Sequence, residues 1–192
     1  MSLFTYQNLK QYQYNFSNAM DQGFTKKASL NTQFDVFLSH SSRDSNLVFA
    51  IKKKLKDYDI SVYVDWLDDS ELDRTHVTRE TAIFLRDRIK QCKSLAFLDT
   101  NNALESKWTP WEVGFADANK QRVFIIPIRE EETSYRDYKG QEFFSLYPFL
   151  DEEPNKRDQM TLWINSPYKK EHYDSLTTWL EKGEPFTDHS KL

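Results

Sequence analysis

The 192-residue sequence predicts an α/β fold: a parallel β-sheet covered by helices on both faces. Two observations predict it. Short apolar or alternating runs, each about the length of a strand, recur along the chain. Between them lie segments whose apolar residues return at helical spacing. Strand and helix in alternation require crossover connections, and these give parallel pairing with helices on both sides.

Residues 1–33 are polar, with scattered aromatics and a weak helical pattern, and are read as an N-terminal extension, a helix followed by a linker. Residues 34–192 form the folded domain. "FDVFL" at 34–38 is the first strand, and "SHSSRDS" after it is rich in loop and N-cap residues. Leu47, Val48, Ile51 and Leu55 then mark a helix. "ISVYVDW" at 60–66 alternates, with Ile60, Val62, Val64 and Trp66 on one strand face. An acidic loop, "LDDSELDRT", leads to a helix with Ala82, Leu85 and Ile89 on one side. "SLAFLDT" is the third strand, a helix runs over 110–120, and "RVFIIPI" at 122–128 is the fourth strand. Residues 129–159 read as irregular and charged. "MTLWIN" at 160–165 is a fifth strand, and "YDSLTTWLEKG" a closing helix stopped by Gly183.

Composition excludes several functions. The net charge of −4 and the lack of a basic run longer than Lys52–Lys54 argue against nucleic-acid binding. A single cysteine, Cys92, cannot form an intramolecular disulfide and reads as a buried thiol in a reducing compartment. No apolar stretch is long enough to span a membrane, and the N-terminus lacks signal-peptide character, so a soluble cytoplasmic protein is expected. The four glycines, Gly23, Gly114, Gly140 and Gly183, build neither a dinucleotide fingerprint nor a phosphate loop. His40, His76, His172 and His189 offer no helical metal-binding pair, so no metal is expected. No nucleophile elbow is present. Asp99 could stand where a phosphorelay receiver carries its acceptor, but Leu38-Ser39-His40 replaces the acidic pair that would hold magnesium.

Ligands of open parallel sheets bind outside the carboxyl ends of the strands. There the sequence places Ser39 and His40, then Asp65, Trp66, Asp68 and Asp69, then Asp99, Thr100 and Asn101 with the helix bearing Trp108 and Glu112. Glu112 has two readings. Thr109-Pro110-Trp111-Glu112 fits a capping box with Thr109 as N-cap and Glu112 as its reciprocal acceptor. Alternatively, Glu112 is a chemical group in the crevice. Trp108 and Trp111, three apart, could simply be buried together, and Arg43 could close a local pair with Asp44.

Four motifs in order resemble the TIR (Toll/interleukin-1 receptor) domain family. "FDVFLSHSSRD" resembles its first box, and "SVYVDWLDDSELDR" its second strand and BB loop. "SKWTPWE" is similar to the Ser-x-Trp-x-x-x-Glu pattern of TIR enzymes, and "RVFIIPI" to the fourth strand. The likeness covers residues 34–128, and more specifically resembles bacterial TIR proteins of Thoeris-type antiphage defence. It implies a flavodoxin-like fold with a five-stranded parallel sheet. It also implies cleavage of NAD⁺ at the nicotinamide–ribose bond, giving ADP-ribose or a cyclic isomer that acts as a signal. NAD⁺ is then substrate, and no separate cofactor is needed. By the same resemblance Glu112 is catalytic. Trp108 stacks on the nucleotide, and Ser39, His40, Trp66, Leu67 and Asp68 line the pocket. For a cyclic product, aromatic walls such as Trp108 and Trp111 would hold the folded dinucleotide and exclude water, and Arg43 in the loop after the first strand is a further substrate-binding candidate. Implied partners are other copies of the chain and a downstream effector that senses the product. The alternatives are a non-enzymatic adaptor acting by self-association and a nucleoside N-glycosidase or deoxyribosyltransferase.

Overall fold

A computed structural model describes residues 3–12, 29, 31–69, 76, 78–103, 106–119, 122–131, 138 and 142–191. The strands are β1 (Phe4–Thr5), β2 (Phe34–Ser39), β3 (Val62–Tyr63), β4 (Cys92–Asp99), β5 (Arg122–Arg129), β6 (Phe149–Pro154), β7 (Met160–Asn165) and β8 (Tyr173–Ser175). The helices are α1 (Tyr6–Leu9), α2 (Ser45–Lys56), α3 (Asp65–Asp68), α4 (Arg79–Lys90), α5 (Thr109–Ala118) and α6 (Leu176–Lys182). The sheet runs β3-β2-β4-β5-β6-β7-β8, with β1 paired to β5 off that path. Pairing from β3 through β6 is parallel, so a five-stranded parallel sheet stands at the centre. β7 and β8 extend it in antiparallel fashion.

Period-two alternation divides the core cleanly. Val36, Leu38, Ala96, Leu98, Phe124 and Ile126 face one side, where α2 and α6 pack through Val48, Ile51, Leu55, Leu176 and Trp179. Phe37, Leu95, Phe97, Val123 and Ile125 face the other, against Leu85 and Ile89 of α4 and Val113 and Ala116 of α5. β2, β4 and β5 are apolar on both faces because helices cover both. α2 ends in Lys53, Lys54 and Lys56, which suits the negative end of its dipole. The hydroxyl of Thr78 caps α4 by accepting from Thr81 N–H at 3.1 Å. α6 stops at Gly183, whose φ of 68° closes the helix.

Four sequence expectations are corrected. The run at 60–66 is not one strand: only Val62–Tyr63 pairs, and Asp65–Asp68 turns into helix α3. Asp68 Oδ2 accepts Val64 N–H at 2.6 Å, so a side chain satisfies that donor at the sheet edge and the chain can turn. The region 129–159 is not wholly irregular. It holds β6, which is the fifth parallel strand, while 160–165 lies antiparallel to it. The closing segment holds a short strand, β8, before α6. Finally, part of the N-terminal segment is built into the core. β1 pairs with Ile128 and Arg129 at the end of β5, and a reciprocal cap between Thr5 and Asn8 starts α1. Leu3 and Phe4 alternate into opposite cores, and Leu9 is fully buried. Most of the linker reading (13–28 and 30) and residues 70–75 of the acidic loop lie outside the described residues.

Candidate functional site

Glu112 sits in the first turn of α5, and its side chain is 0 % exposed. The capping box does not form. Trp108 is the N-cap with αR backbone, so Thr109 is already helical, and Glu112 N–H donates to Trp108 C=O at 2.9 Å. Ser106 does the capping, its Oγ accepting from Thr109 N–H at 3.3 Å. The hydroxyl of Thr109 is buried without a hydrogen-bond partner among the described residues. Two hydroxyl residues compete to begin this helix, and the earlier one wins. The Glu112 side chain turns onto the sheet.

Its partner there is Ser39, the last residue of β2. Ser39 Oγ donates to Glu112 Oε2 at 2.5 Å, and both residues are completely buried. A buried carboxylate is tolerated only with such a partner. Ser39 shares the parity of Phe37, so it leaves the sheet on the side where α5 packs.

His40 follows. Its Nδ1 lies 2.8 Å from Leu38 C=O, which can only accept. Its Nε2 accepts the indole N–H of Trp66 at 2.9 Å. The proton therefore resides on Nδ1, and the ring is the neutral tautomer. Asp65 Oδ1 stands 3.7 Å from Nε2. Thus Ser39, His40, Trp66 and Glu112 converge at the carboxyl ends of β2 and β3.

The other expected residues divide. Leu67 is buried in the core under α2. Asp68 is buried and bound to Lys52 Nζ at 2.5 Å. Burial pushes the Asp68 carboxyl up and the Lys52 ammonium down, outweighing their mutual attraction in both. Trp108 is nearly buried among the α5-side core, with Trp111 edge-on at 5.6 Å. Trp111 is exposed and stacked on Phe115 at 5.8 Å and 15°. Arg43 is exposed on the turn after β2. It does not monopolise Asp44, whose carboxylate accepts from Thr100 Oγ1 at 2.6 Å and Asn102 Nδ2 at 2.7 Å. Those bonds tie the loop after β4 to the loop after β2.

Two networks had no signal in sequence spacing. Asp99 Oδ2 accepts from Arg129 at 2.8 Å and from Tyr138 at 3.3 Å, and the Arg129 guanidinium lies over the Tyr138 ring. Burial and the neighbouring Asp99 push the Tyr138 hydroxyl up. Asp69 receives both Nε and Nη2 of Arg88, at 2.8 and 2.9 Å, and the Tyr63 hydroxyl at 2.8 Å. The Cys92 thiol, as expected, is buried, and burial pushes its ionisation well above the ordinary range.

Among the described residues no helix is long and apolar enough to cross a membrane. No group of three or more His, Cys, Asp or Glu side chains among them is placed to hold a metal ion.

A solved TIR domain from a Toll-related receptor of Hydra magnipapillata is 18 % identical, covering 58 % of this chain and 78 % of its own, with a TM-score of 0.40. A "Putative cyclic ADP-D-ribose synthase TIR2" of Cytobacillus dafuensis is 37 % identical over 99 residues, 51 % of this chain and 26 % of that protein. A "Probable 3' cyclic ADP-D-ribose synthase ThsB'" of Bacillus cereus (strain MSX-D12) is 38 % identical over 197 residues, 95 % of this chain and all of that protein. The family model described as "TIR domain" matches residues 36–161, from β2 through the start of β7. On that match and the full-length relative, the chain belongs to the TIR domain family.

Proposed function

We propose that this protein cleaves NAD⁺ at the nicotinamide–ribose bond and closes the remaining ADP-ribosyl group into a cyclic ADP-ribose isomer. The observation that carries it is the buried Glu112 carboxylate, held by Ser39 at the sheet's carboxyl edge. The full-length relative named as a cyclic ADP-ribose synthase gives the reaction its product.

Nicotinamide in NAD⁺ is a cationic leaving group and departs neutral, so the step needs no general acid. Breaking the C–N bond leaves positive charge on the ribose, as in glycoside transfer. A carboxylate aimed at that carbon stabilises the charge as it develops. The hydrogen bond from Ser39 fixes one oxygen of the Glu112 carboxylate. An atom of the adenosine half then attacks the anomeric carbon in place of water. If that atom is a hydroxyl oxygen, its proton passes to solvent or to a carboxylate. Attack by water instead gives ADP-ribose. The Trp66 and Trp108 rings supply flat apolar faces for the two bases and keep water from the anomeric carbon. No metal or further cofactor enters the reaction.

Turnover is proposed to depend on self-association of the chain, and the product to be read by a separate effector in bacterial antiphage defence. The test is incubation of the purified protein with NAD⁺ over a range of protein concentrations, with products resolved by chromatography and mass spectrometry. Nicotinamide and a product one water lighter than ADP-ribose are expected, with specific activity rising with concentration. ADP-ribose alone would remove the cyclase assignment. No nicotinamide at any concentration would return the chain to a non-enzymatic adaptor.

A further inference from the structure

Asp68 and Asp69 are neighbours at the end of α3, yet they reach helices on opposite faces of the sheet. Asp68 meets Lys52 of α2, and Asp69 meets Arg88 of α4. The Arg88 pair is closed on every side. Its guanidinium engages both Asp69 oxygens and donates to Ser29 C=O at 2.9 Å and Gln91 Oε1 at 3.0 Å. It also lies over the rings of Tyr63 and Phe84, and the residue is 2 % exposed. Asp69 N–H in turn donates to Asp65 C=O at 2.7 Å, so fixing Asp69 fixes the last turn of α3. On the other face Asp68 holds Val64 N–H and Lys52 together.

A helix of four residues has little stability of its own. α3 nonetheless carries Trp66, whose indole N–H donates to His40 Nε2 beside Ser39 and Glu112. One buried and one largely buried ion pair are a costly way to hold one turn, because their charges are mostly withdrawn from water. In some proteins buried pairs fix one arrangement over its alternatives, and here the arrangement at stake is the pose of Trp66.

We propose that Lys52 and Arg88 are positioning residues: through Asp68 and Asp69 they clamp α3 from both faces of the sheet, so that Trp66 locks His40 and together these set the affinity for the dinucleotide. The inference rests on the NAD⁺-cleaving reading. The clamps hold α3, whereas Ser39 holds Glu112, so loss of a clamp should act on binding more than on the chemical step.

The test uses the full chain as wild type, Asp69→Asn, Lys52→Gln, Trp66→Phe and Asp69→Asn/Trp66→Phe, with nicotinamide release measured against NAD⁺ concentration. Each single change is expected to raise KM about 10-fold while kcat stays within about 3-fold. The double variant is expected to match Trp66→Phe alone, because the clamp acts through the indole. Unchanged KM in both clamp variants, multiplying effects in the double variant, or a fall in kcat at constant KM would overturn the proposal. A structural role alone would lower thermal stability without moving KM. If Asp69→Asn does not fold, Lys52→Gln makes the same comparison from the other face. A second readout separates this inference from the reading beneath it. The ¹⁵N resonance of His40 Nε2 reports the indole hydrogen bond without turnover, and each clamp variant is expected to shift it toward its Trp66→Phe value. Absence of turnover in wild type would sink the enzymatic reading, and that resonance would then decide the clamp alone.

Discussion

At the scale of single residues the site turns on the hydrogen bond from Ser39 to Glu112. Ser39 Oγ holds Glu112 Oε2 inside a volume that solvent does not reach. A hydrogen bond to a charged group contributes about 1.5–3 kcal/mol. Ser39→Ala is therefore expected to lower kcat by about 10- to 100-fold with a smaller change in KM, read from nicotinamide release. An unchanged kcat would mean that this hydrogen bond does not orient the carboxylate. The legible residues here were those whose chemistry is local. Ser39, His40 and Glu112 follow strand and helix ends, and the sheet-edge rule placed them together. Asp69–Arg88 was not legible, because 19 positions separate the partners and only the packing of α4 brings them together.

At the scale of elements, α5 and β6 carry contrasting liabilities. Gly114 lies mid-helix on the exposed side of α5, and a Cβ added there meets nothing within 4 Å. Gly114→Ala is expected to stabilise the protein by about 0.5–1 kcal/mol, seen as a higher denaturation midpoint with activity unchanged. β6 holds Asp151, which is fully buried, with neither oxygen hydrogen-bonded to any described residue. Burial pushes its carboxyl up to about 7, with the Asn165 amide nearby pulling the other way. The folded state thus binds a proton that the unfolded chain releases near pH 4. Stability falls as pH rises between those values, by roughly 4 kcal/mol in total, and is flat above about pH 8. Asp151→Asn is expected to abolish that slope and to be the more stable protein at pH 8 in denaturant titrations. An equal slope in both proteins would place the proton elsewhere. β6 was hidden in the sequence for a related reason. Only Phe149 and Leu150 are apolar in it, and the acidic residues and Pro154 that follow read as loop. The central strands β2, β4 and β5, apolar on both faces, were plain. α3 was missed because a side chain, Asp68, takes the place of a strand partner.

At the scale of the whole molecule, the described start of the chain is part of the fold. Leu9 is fully buried in the core that α2 covers, and β1 completes the edge of β5. Leu9→Ala is expected to cost about 2–5 kcal/mol, measured by thermal or denaturant unfolding. A detachable extension would show no change. The same sheet that buries this segment brings β2, β3 and α5 together at one edge, and the central claim concerns the carboxylate placed there. It is tested most directly by comparing nicotinamide release from NAD⁺ by wild type and Glu112→Gln at equal concentration, with circular dichroism spectra showing the same fold. Gln keeps the size of the side chain and an oxygen for Ser39 but removes the charge. Loss of release by at least about 100-fold with an intact spectrum is expected of a carboxylate that stabilises a developing cation. Release at the wild-type rate from the folded variant would contradict a catalytic Glu112 and leave it a structural residue of the α5–sheet contact.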